Sequence, residues 1–206
     1  MGRFVAVVLT VLLAIVTLDA QGTTGWKVRV DRSTSASDPD GAGDVKFMAM
    51  GAGFHAINPQ AAVFWKPGAN ASGTYTLKGR FTLMKPSDHT NYYGLVFGGS
   101  DLEGPQQTYL YFMVAQDGTF LIKRRNGSAT EDVAKEASPA VRRPTANGQS
   151  TNELEVRVRP DLIAYSVNGT TVHTTPRTGP TAKPDGAYGF RINHRLEVQV
   201  ENLGVS

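Results

Sequence analysis

Three aspartates in the first quarter of the chain have the spacing of possible metal ligands. Asp38, Asp40 and Asp44 lie in the stretch "DPDGAGD". Calcium takes oxygen ligands from closely spaced carboxylates, but a helix-flanked calcium loop also needs ligands where this chain has Ala36 and Phe47. The central Pro-Asp-Gly is sufficient by itself for a turn. The stretch therefore favours a turn before a strand, with calcium at Asp38, Asp40 and Asp44 as the alternative and no other cofactor expected.

Two histidines and two acids are the candidate catalytic residues. His55 in "GFHAINP" and His194 in "RINHR" stand beside apolar segments, and imidazole titrates near neutral pH. Either could act as a general base or hydrogen-bond a sugar, or it could be a hydrogen-bonded structural residue. Asp101 and Glu103 in "FGGSDLEG" could reach a sugar hydroxyl or an ion. Ser100 lacks the G-x-S-x-G pattern and the following helix of a nucleophile elbow.

Aromatic residues beside an arginine could bind a sugar. A flat ring covers the apolar side of a pyranose, and planar groups such as guanidinium bind its hydroxyls. The alternative is that these aromatic residues pack between two sheets. The candidate ligand-binding residues are Tyr109, Tyr111, Arg124, Trp65, Tyr92 and Tyr93.

The elements that must position these residues are strands. Two-residue alternation of apolar and polar residues recurs after the first twenty residues, whereas sustained helical spacing does not. About a dozen short strands separated by turn signals favour a sandwich or jelly roll. The predicted strands are 26–31, 44–50, 61–66, 73–85, 93–97, 108–116, 118–125, 153–159, 162–167, 170–174, 187–193 and 196–203.

Turn residues set the register of three hairpins. Asp117-Gly118, as a two-residue turn, places Tyr111 opposite Arg124 and puts both on the face of Tyr109. This hairpin is apolar on both faces, which is typical of the middle of a sheet.

The next two turns predict a three-stranded meander. The turn at Pro160-Asp161 pairs Val156 with Tyr165, and Asn168-Gly169 then pairs Tyr165 with Val172. Residues 127–150 show no strand character, and such a long connection is usually either a functional loop or a locally disordered one. If the chain forms a short helix, this segment is where we expect it.

Composition and the N-terminal segment limit the class of protein. Residues 1–20 combine Arg3, an apolar run and a small residue at Ala20, which predicts a secretory signal peptide too short to span a bilayer comfortably. The remaining residues, 21–206, suit one domain. We expect a secreted or periplasmic protein with no membrane association after signal cleavage.

Cysteine content and charge limit the kinds of site and partner that this chain can have. The chain has no cysteine, so a disulfide, a thiol nucleophile and a zinc–thiolate site are excluded. A net charge of +3 with scattered cations argues against a nucleic-acid partner.

The order of segments resembles a known family. "GFHAINPQAAVFWKP", "YGLVFGGSDLEG", "TYLYFMVAQDGTFLIKRR" and "GAYGFRINHRLEVQVENLGVS" together resemble concanavalin-type lectin/glucanase jelly rolls, close to the 3-keto-disaccharide hydrolase-like domains of secreted bacterial proteins. This resemblance implies an all-β, two-sheet antiparallel sandwich whose concave sheet face receives carbohydrate in members that have a ligand. Fold alone does not imply catalysis.

The acid pair of the family's glucanases is missing. Retaining glucanases on this fold carry E-x-D-x-x-E, which holds two carboxyls about 5 Å apart. The nearest substitutes are Glu153 with Glu155 and Glu197 with Glu201.

Three hypotheses follow for the function. The first is a carbohydrate-binding sandwich without catalysis, and the second is a glycan-cleaving hydrolase of the 3-keto-disaccharide type. The third is a structural envelope protein, which predicts a sheet face filled by side chains and no pocket.

Overall fold

The computed structural model describes residues 22–206, and the predicted signal peptide, residues 1–20, lies outside the described residues. Fourteen strands form two antiparallel sheets of seven strands each. The strands are β1 Lys27–Asp31, β2 Lys46–Met50, β3 Gly53–Asn58, β4 Ala61–Ala71, β5 Tyr75–Lys85, β6 Tyr92–Ser100, β7 Thr108–Ala115, β8 Thr119–Asn126, β9 Ala129–Ala137, β10 Ser150–Val158, β11 Leu162–Val167, β12 Thr170–Pro176, β13 Gly186–Ile192 and β14 Leu196–Val205.

The chain crosses repeatedly between the two sheets. The first sheet has the order β1-β4-β13-β6-β7-β8-β9, and the second has the order β12-β11-β10-β5-β14-β3-β2. The predicted all-β, two-sheet antiparallel sandwich is confirmed. The one helical segment described within 22–206 is a single 3-10 turn, Gly179–Thr181, so that region holds no helix long and apolar enough to cross a membrane.

The burial pattern differs between the sheets. In β10 of the second sheet, Leu154 and Val156 are fully buried while Glu153 and Arg157 are exposed, as alternation predicts. In the first sheet, β7 is buried at nearly every position. A strand shielded on both faces reads as a continuous apolar run. The central position predicted for β7 is therefore confirmed.

Aromatic residues hold the two sheets together. Phe64 and Phe190, on neighbouring strands of the first sheet, stack with ring centres 4.6 Å apart. Phe112 of the first sheet meets Tyr165 of the second edge to face at 5.3 Å. All four side chains are fully buried. The domain thus relies on apolar packing between the sheets.

The register predicted for the β7–β8 hairpin is wrong by one residue. Tyr111 pairs with Lys123, and Arg124 pairs with Leu110. The loop has three residues rather than two, because only Gly118 of the Asp117-Gly118 pair has a positive φ, at 85°. A three-residue loop of this kind shifts the returning strand by one position and turns each of its side chains to the other face.

The β10–β11 hairpin has the predicted register, with Val156 opposite Tyr165. The Asn168-Gly169 turn also forms as predicted, with φ values of 51° and 83°. A bulge after this turn pairs Tyr165 with His173 instead of Val172. A bulge inserts one residue into one strand, and nothing in the local turn chemistry signals it.

The helix expected within residues 127–150 is wrong. Ala129–Ala137 forms β9, at the edge of the first sheet. Most of its residues are exposed and four of the nine are charged, which is common in edge strands because charge discourages further pairing. Such a strand lacks the apolar alternation by which strands are recognised. Gly53–Asn58, β3, was likewise absent from the predicted strands.

Candidate functional site

The outer face of the first sheet carries most of the predicted aromatic residues. Trp65, Tyr92, Tyr109 and Tyr111 pack there in one cluster with Val63, Val96, Leu102, Met113, Ala115 and Leu121. The four aromatic side chains are at most 6% exposed, and cations lie over two of their rings. Tyr93 lies instead in the core between the sheets, where its ring packs against apolar side chains and does not reach this face.

Arg124 does not lie where the predicted register puts it. The true register places it opposite Leu110, a residue of the inter-sheet core, and its guanidinium lies 3.9 Å from Glu131. Arg125 is the residue opposite Tyr109. On β8, the arginine beside the tyrosine cluster is therefore Arg125 and not Arg124.

Arg191 and Asp31 form the polar centre of this face. The Arg191 guanidinium is ion-paired with Asp31, donates a hydrogen bond of 2.9 Å to the Tyr109 hydroxyl and lies 5.8 Å from the centre of the Tyr111 ring. Arg29 adds a second ion pair to Asp31, at 3.2 Å. These interactions hold both charges in a nearly buried position.

The pKa values of these groups reflect their burial and pairing. Burial alone would raise the pKa of Asp31, but the charge and hydrogen bond of Arg191 outweigh it and hold the pKa below its ordinary value of 3.8. Burial raises the pKa of Tyr111 to about 12. The ion pair is thus charged, and the tyrosine neutral, across the physiological pH range.

A cavity of about 610 Å³ opens above this polar centre. We call it the groove. It lies between the β1–β2 connection, the strand ends of the first sheet and the turn after β13. Its lining consists of residues 29–35, Asp38, Ala61, Asn91, Arg125, Ser128, Arg191, Asn193 and His194.

Three side chains from separate connections meet at one end of the groove. Asp38 Oδ1 lies 2.9 Å from His89 Nε2 and 3.0 Å from His194 Nε2, and the two imidazole nitrogens are 3.2 Å apart. These residues follow β1, β5 and β13 respectively. Within residues 22–206 they form the one group of three or more His, Cys, Asp or Glu side chains whose ligand atoms lie within 4.8 Å of one another.

The structure does not bring the three predicted calcium ligands together as one such group. Asp38 faces the two histidines. Asp40 Oδ2 accepts the Ser33 backbone N–H at 2.9 Å, and its other oxygen lies 3.4 Å from His194 Nδ1. The turn through Pro39 thus gives neighbouring carboxylates different partners, and Asp38, Asp40 and Asp44 do not converge on one ion.

The predicted catalytic residues do not form one constellation. His55 Nε2 lies 2.9 Å from Glu197 Oε1 on the second sheet, whereas His194 lies at the groove. Asp101 Oδ2 accepts the Gln106 backbone N–H at 3.0 Å and stabilises its own loop. Glu103 is an exposed ion-pair partner of Lys27. Only His194 of these four lines the groove.

The substitute acid pairs are engaged elsewhere. Glu155 contacts Lys78 at 2.7 Å and Arg157 at 2.6 Å. Glu201 lies 3.9 Å from Arg80, on a strand of the second sheet. Neither pair faces the groove, so no paired-acid site of the glucanase type arises from them.

Several groove residues were not predicted from the sequence. Four of them, Arg29, Asp31, Arg125 and Arg191, are charged lining residues, and His89 lies in the adjoining cluster with Asp38 and His194. Arg191 offered a signal, because it stands between the buried residues Phe190 and Ile192 of one strand. A cation that alternates with core residues must lie on the opposite face of its sheet. Arg29 and Asp31 alternate with Val28 and Val30 of β1 in a similar way, whereas His89 and Arg125 offered no comparable signal.

Comparison with known proteins identifies solved structures of similar fold. No family model matches the chain, and comparison with the curated proteins also gives no match. Among solved structures, the carbohydrate-binding module CBM66 from Bacillus subtilis is similar with a TM-score of 0.64 and 12% identity, covering 89% of this chain and 96% of the module.

Two further structures have similar folds. The carbohydrate recognition domain of Emp46p, in a mutant form, has a TM-score of 0.59 and 11% identity over 89% of this chain and 88% of that domain. A protein of unknown function with a galectin-like fold from Bacillus subtilis has a TM-score of 0.55 and 16% identity over 87% and 88%. The chain thus has the lectin/glucanase type of jelly-roll fold, as the resemblance implied. The closer likeness to 3-keto-disaccharide hydrolase-like domains stays a prediction.

Proposed function

We propose that this protein is a secreted or periplasmic carbohydrate-binding domain and that its ligand lies in the groove on the outer face of the first sheet. The observation that carries the proposal is the groove itself. Its volume of about 610 Å³ is within the range of small-molecule sites, about 300–1,000 Å³. The carbohydrate-binding proteins among the similar structures support the same class of ligand.

The groove lining suits the chemistry of sugar hydroxyls. Each hydroxyl both donates and accepts, so a sugar site needs fixed donors and fixed acceptors together. Arg125 and Asn193 line the groove and offer planar donors, and Asn193 also offers an acceptor. Arg125 is held by its own hydrogen bond of 2.7 Å to the Gly127 carbonyl. Such restraint reduces the entropy that a side chain loses on binding.

Hydrogen bonds, rather than ring stacking, are expected to dominate recognition. The aromatic side chains beneath the groove are nearly buried, and the Arg191 guanidinium lies over Tyr111. The lining holds four arginines, Arg29, Arg32, Arg125 and Arg191, against the aspartates Asp31 and Asp38. The excess of positive charge favours glycans that carry carboxylate or sulfate groups.

Neighbouring arginines of β8 provide a direct test. Arg125→Ala is expected to weaken binding of the best glycan from an array about ten- to hundredfold, because a hydrogen bond to a charged group contributes about 1.5–3 kcal/mol. Arg124→Ala is the matched control, since that side chain belongs to the opposite face of the same strand. Isothermal titration calorimetry measures both. Equal affinities for the two variants, or no binding to any glycan, would contradict the proposal.

The hydrolase hypothesis keeps one supporting observation. His194 lines the groove and lies 3.0 Å from Asp38, so an imidazole and a carboxylate could both reach a bound glycan. An assay with a panel of disaccharides and 3-keto-disaccharides tests this alternative. If it is correct, the His194→Ala variant loses turnover and the His55→Ala variant retains it. The scaffold hypothesis is less well supported, because it predicts a filled face without a pocket.

A further inference from the structure

We propose that Asp38, His89 and His194 bind a divalent transition-metal ion, with zinc as the ion that best fits the ligand set. The three ligand atoms are two imidazole nitrogens and one carboxylate oxygen, separated by 2.9, 3.0 and 3.2 Å. Ligands bonded to tetrahedral zinc at about 2.0–2.1 Å lie roughly 3.3 Å from one another. The three atoms therefore already have nearly the spacing of a zinc site.

The partners of the two imidazole rings indicate which nitrogens are free to bind. His89 Nδ1 lies 2.7 Å from Asp88 Oδ1, and His194 Nδ1 lies 3.4 Å from Asp40 Oδ1. An ionised carboxylate only accepts hydrogen bonds, so the hydrogen bond to Asp88 places the proton of His89 on Nδ1 and leaves a lone pair on its Nε2. A carboxylate behind a ligating histidine is also the usual arrangement in metal sites, where it fixes the tautomer.

The three converging atoms are suited to hold a cation between them. When each imidazole presents its Nε2 lone pair, the two lone pairs and the carboxylate oxygen repel one another, and a bound cation removes that repulsion. The Asn91 amide nitrogen lies 2.9 Å from His89 Nε2 and can donate to that atom. Rotation of the amide would instead direct its carbonyl oxygen there as a further metal ligand.

The surrounding contacts hold the ligands in place. Gln116 donates to the backbone carbonyl of His89 at 2.9 Å. Asp88 is paired with Arg195 at 3.1 Å, and Asp40 accepts the Ser33 N–H at 2.9 Å. His194 itself is buried, with a relative exposure of 7%. Preorganised ligands of this kind raise metal affinity because little ordering is required on binding.

The identity of the ion follows from the ligand chemistry. Calcium and magnesium prefer oxygen ligands, whereas imidazole suits zinc, copper, iron and nickel. Three protein ligands leave at least one coordination position open on four-coordinate zinc. Asp38 and His194 line the groove, so an ion bound to them would lie beside the groove.

Metal titration of the purified, chelator-treated protein tests the proposal without any glycan. We expect one zinc ion to bind per chain by isothermal titration calorimetry, and calcium not to bind at the same concentration. His89→Ala and His194→Ala should each lose zinc affinity by about 100-fold or more, because each removes one of three ligands. His173→Ala is the matched control, since this residue lies on β12 of the second sheet and outside the cluster.

Two further measurements separate ligation from a general effect on folding. Cobalt(II) should give the visible absorption of a four- or five-coordinate site in the wild-type protein and in His173→Ala, and lose it in His89→Ala. Saturating zinc, at about 100 times its dissociation constant, should raise the Tm of the wild-type protein on the order of 5–10 °C and leave that of His89→Ala unchanged.

Loss of a supporting carboxylate should have a smaller effect. Asp88→Ala removes the acceptor of His89 Nδ1 and should weaken zinc binding about 10- to 100-fold.

Three results would each overturn the proposal. They are absence of zinc binding, equal zinc affinity in the wild-type protein and in folded His89→Ala, and binding of calcium in preference to zinc. None of these results depends on whether the groove binds a sugar.

Discussion

Arg191 and Asp31 form an ion pair that is nearly buried on the outer face of the first sheet. Their side chains are 12% and 11% exposed. Desolvation of two charges is expensive, and the pair is maintained because Tyr109 and Arg29 supply additional polar contacts. Removal of one partner leaves the other charge buried without compensation. The pair therefore matters for stability as well as for the shape of the groove.

Asp31→Asn is expected to lower the free energy of unfolding by about 3 kcal/mol, because it leaves Arg191 without its carboxylate partner. Urea denaturation at pH 7 measures this loss. Asp132→Asn is the control, since Asp132 is an exposed partner of Lys123 and such pairs contribute little. A similar change in both variants would contradict the special role of the buried pair.

The same pair predicts how stability depends on pH. The pKa of Asp31 in the folded protein lies below its ordinary value of 3.8, so its stabilisation is fully present above that value. It is lost as pH falls from 3.8 through the folded pKa. The difference in stability between wild type and Asp31→Asn should therefore be constant near neutral pH and shrink below pH 3.8. A difference that stays constant to about pH 2 would contradict this assignment.

The first sheet leaves no room for a side chain at Gly189 of β13. Gly189 lies between β4 and β6, where a side-chain carbon would overlap the backbone carbonyl oxygen of Phe64. Backbone atoms in a paired strand cannot move without loss of hydrogen bonds to the neighbouring strands. Glycine at this position therefore permits β13 to pair with β4 and β6.

Gly189→Ala is expected to destabilise the domain by about 3 kcal/mol or more, because the overlap is with backbone rather than with a flexible side chain. Gly204→Ala provides a matched control in β14, where an added carbon meets no atom within 4 Å. Thermal unfolding followed by circular dichroism compares the two variants. Equal Tm values for the two variants would show that the strands can move apart to accommodate the added carbon without loss of stability.

The two sheets share one apolar core, and this sharing predicts cooperative unfolding of the whole molecule. Phe112 of the first sheet is fully buried and contacts Tyr165 of the second at 5.3 Å between ring centres. Neither sheet can bury its inner face without the other. No cysteine is present to cross-link them. The core alone must therefore supply the stability of the sandwich.

Phe112→Ala is expected to cost about 3–5 kcal/mol, the usual range for truncation of a buried aromatic side chain. Phe112→Leu should cost much less because it retains most of the buried volume. Urea unfolding followed by both circular dichroism and fluorescence should show one coincident transition for the wild-type protein. Two separate transitions would mean that the sheets do not unfold as one unit.

Local patterns alone determined the fold class and part of the strand register. Alternation and turn residues predict an all-β sandwich or jelly roll, and the Pro160-Asp161 turn predicts the pairing of Val156 with Tyr165. Both depend on interactions between residues close in sequence. The edge strand β9 escaped prediction because its exposed residues need no apolar periodicity.

Only the tertiary structure decided which residues form the site. Because the loop includes Gln116 as well as Asp117 and Gly118, Arg125 faces the groove and Arg124 faces away from it, since side chains alternate with a period of two. His89 and His194 are 105 residues apart in sequence, yet their nitrogens lie 3.2 Å apart. Their meeting depends on the order of strands across two sheets, which is set by the packing of the whole core rather than by any local segment.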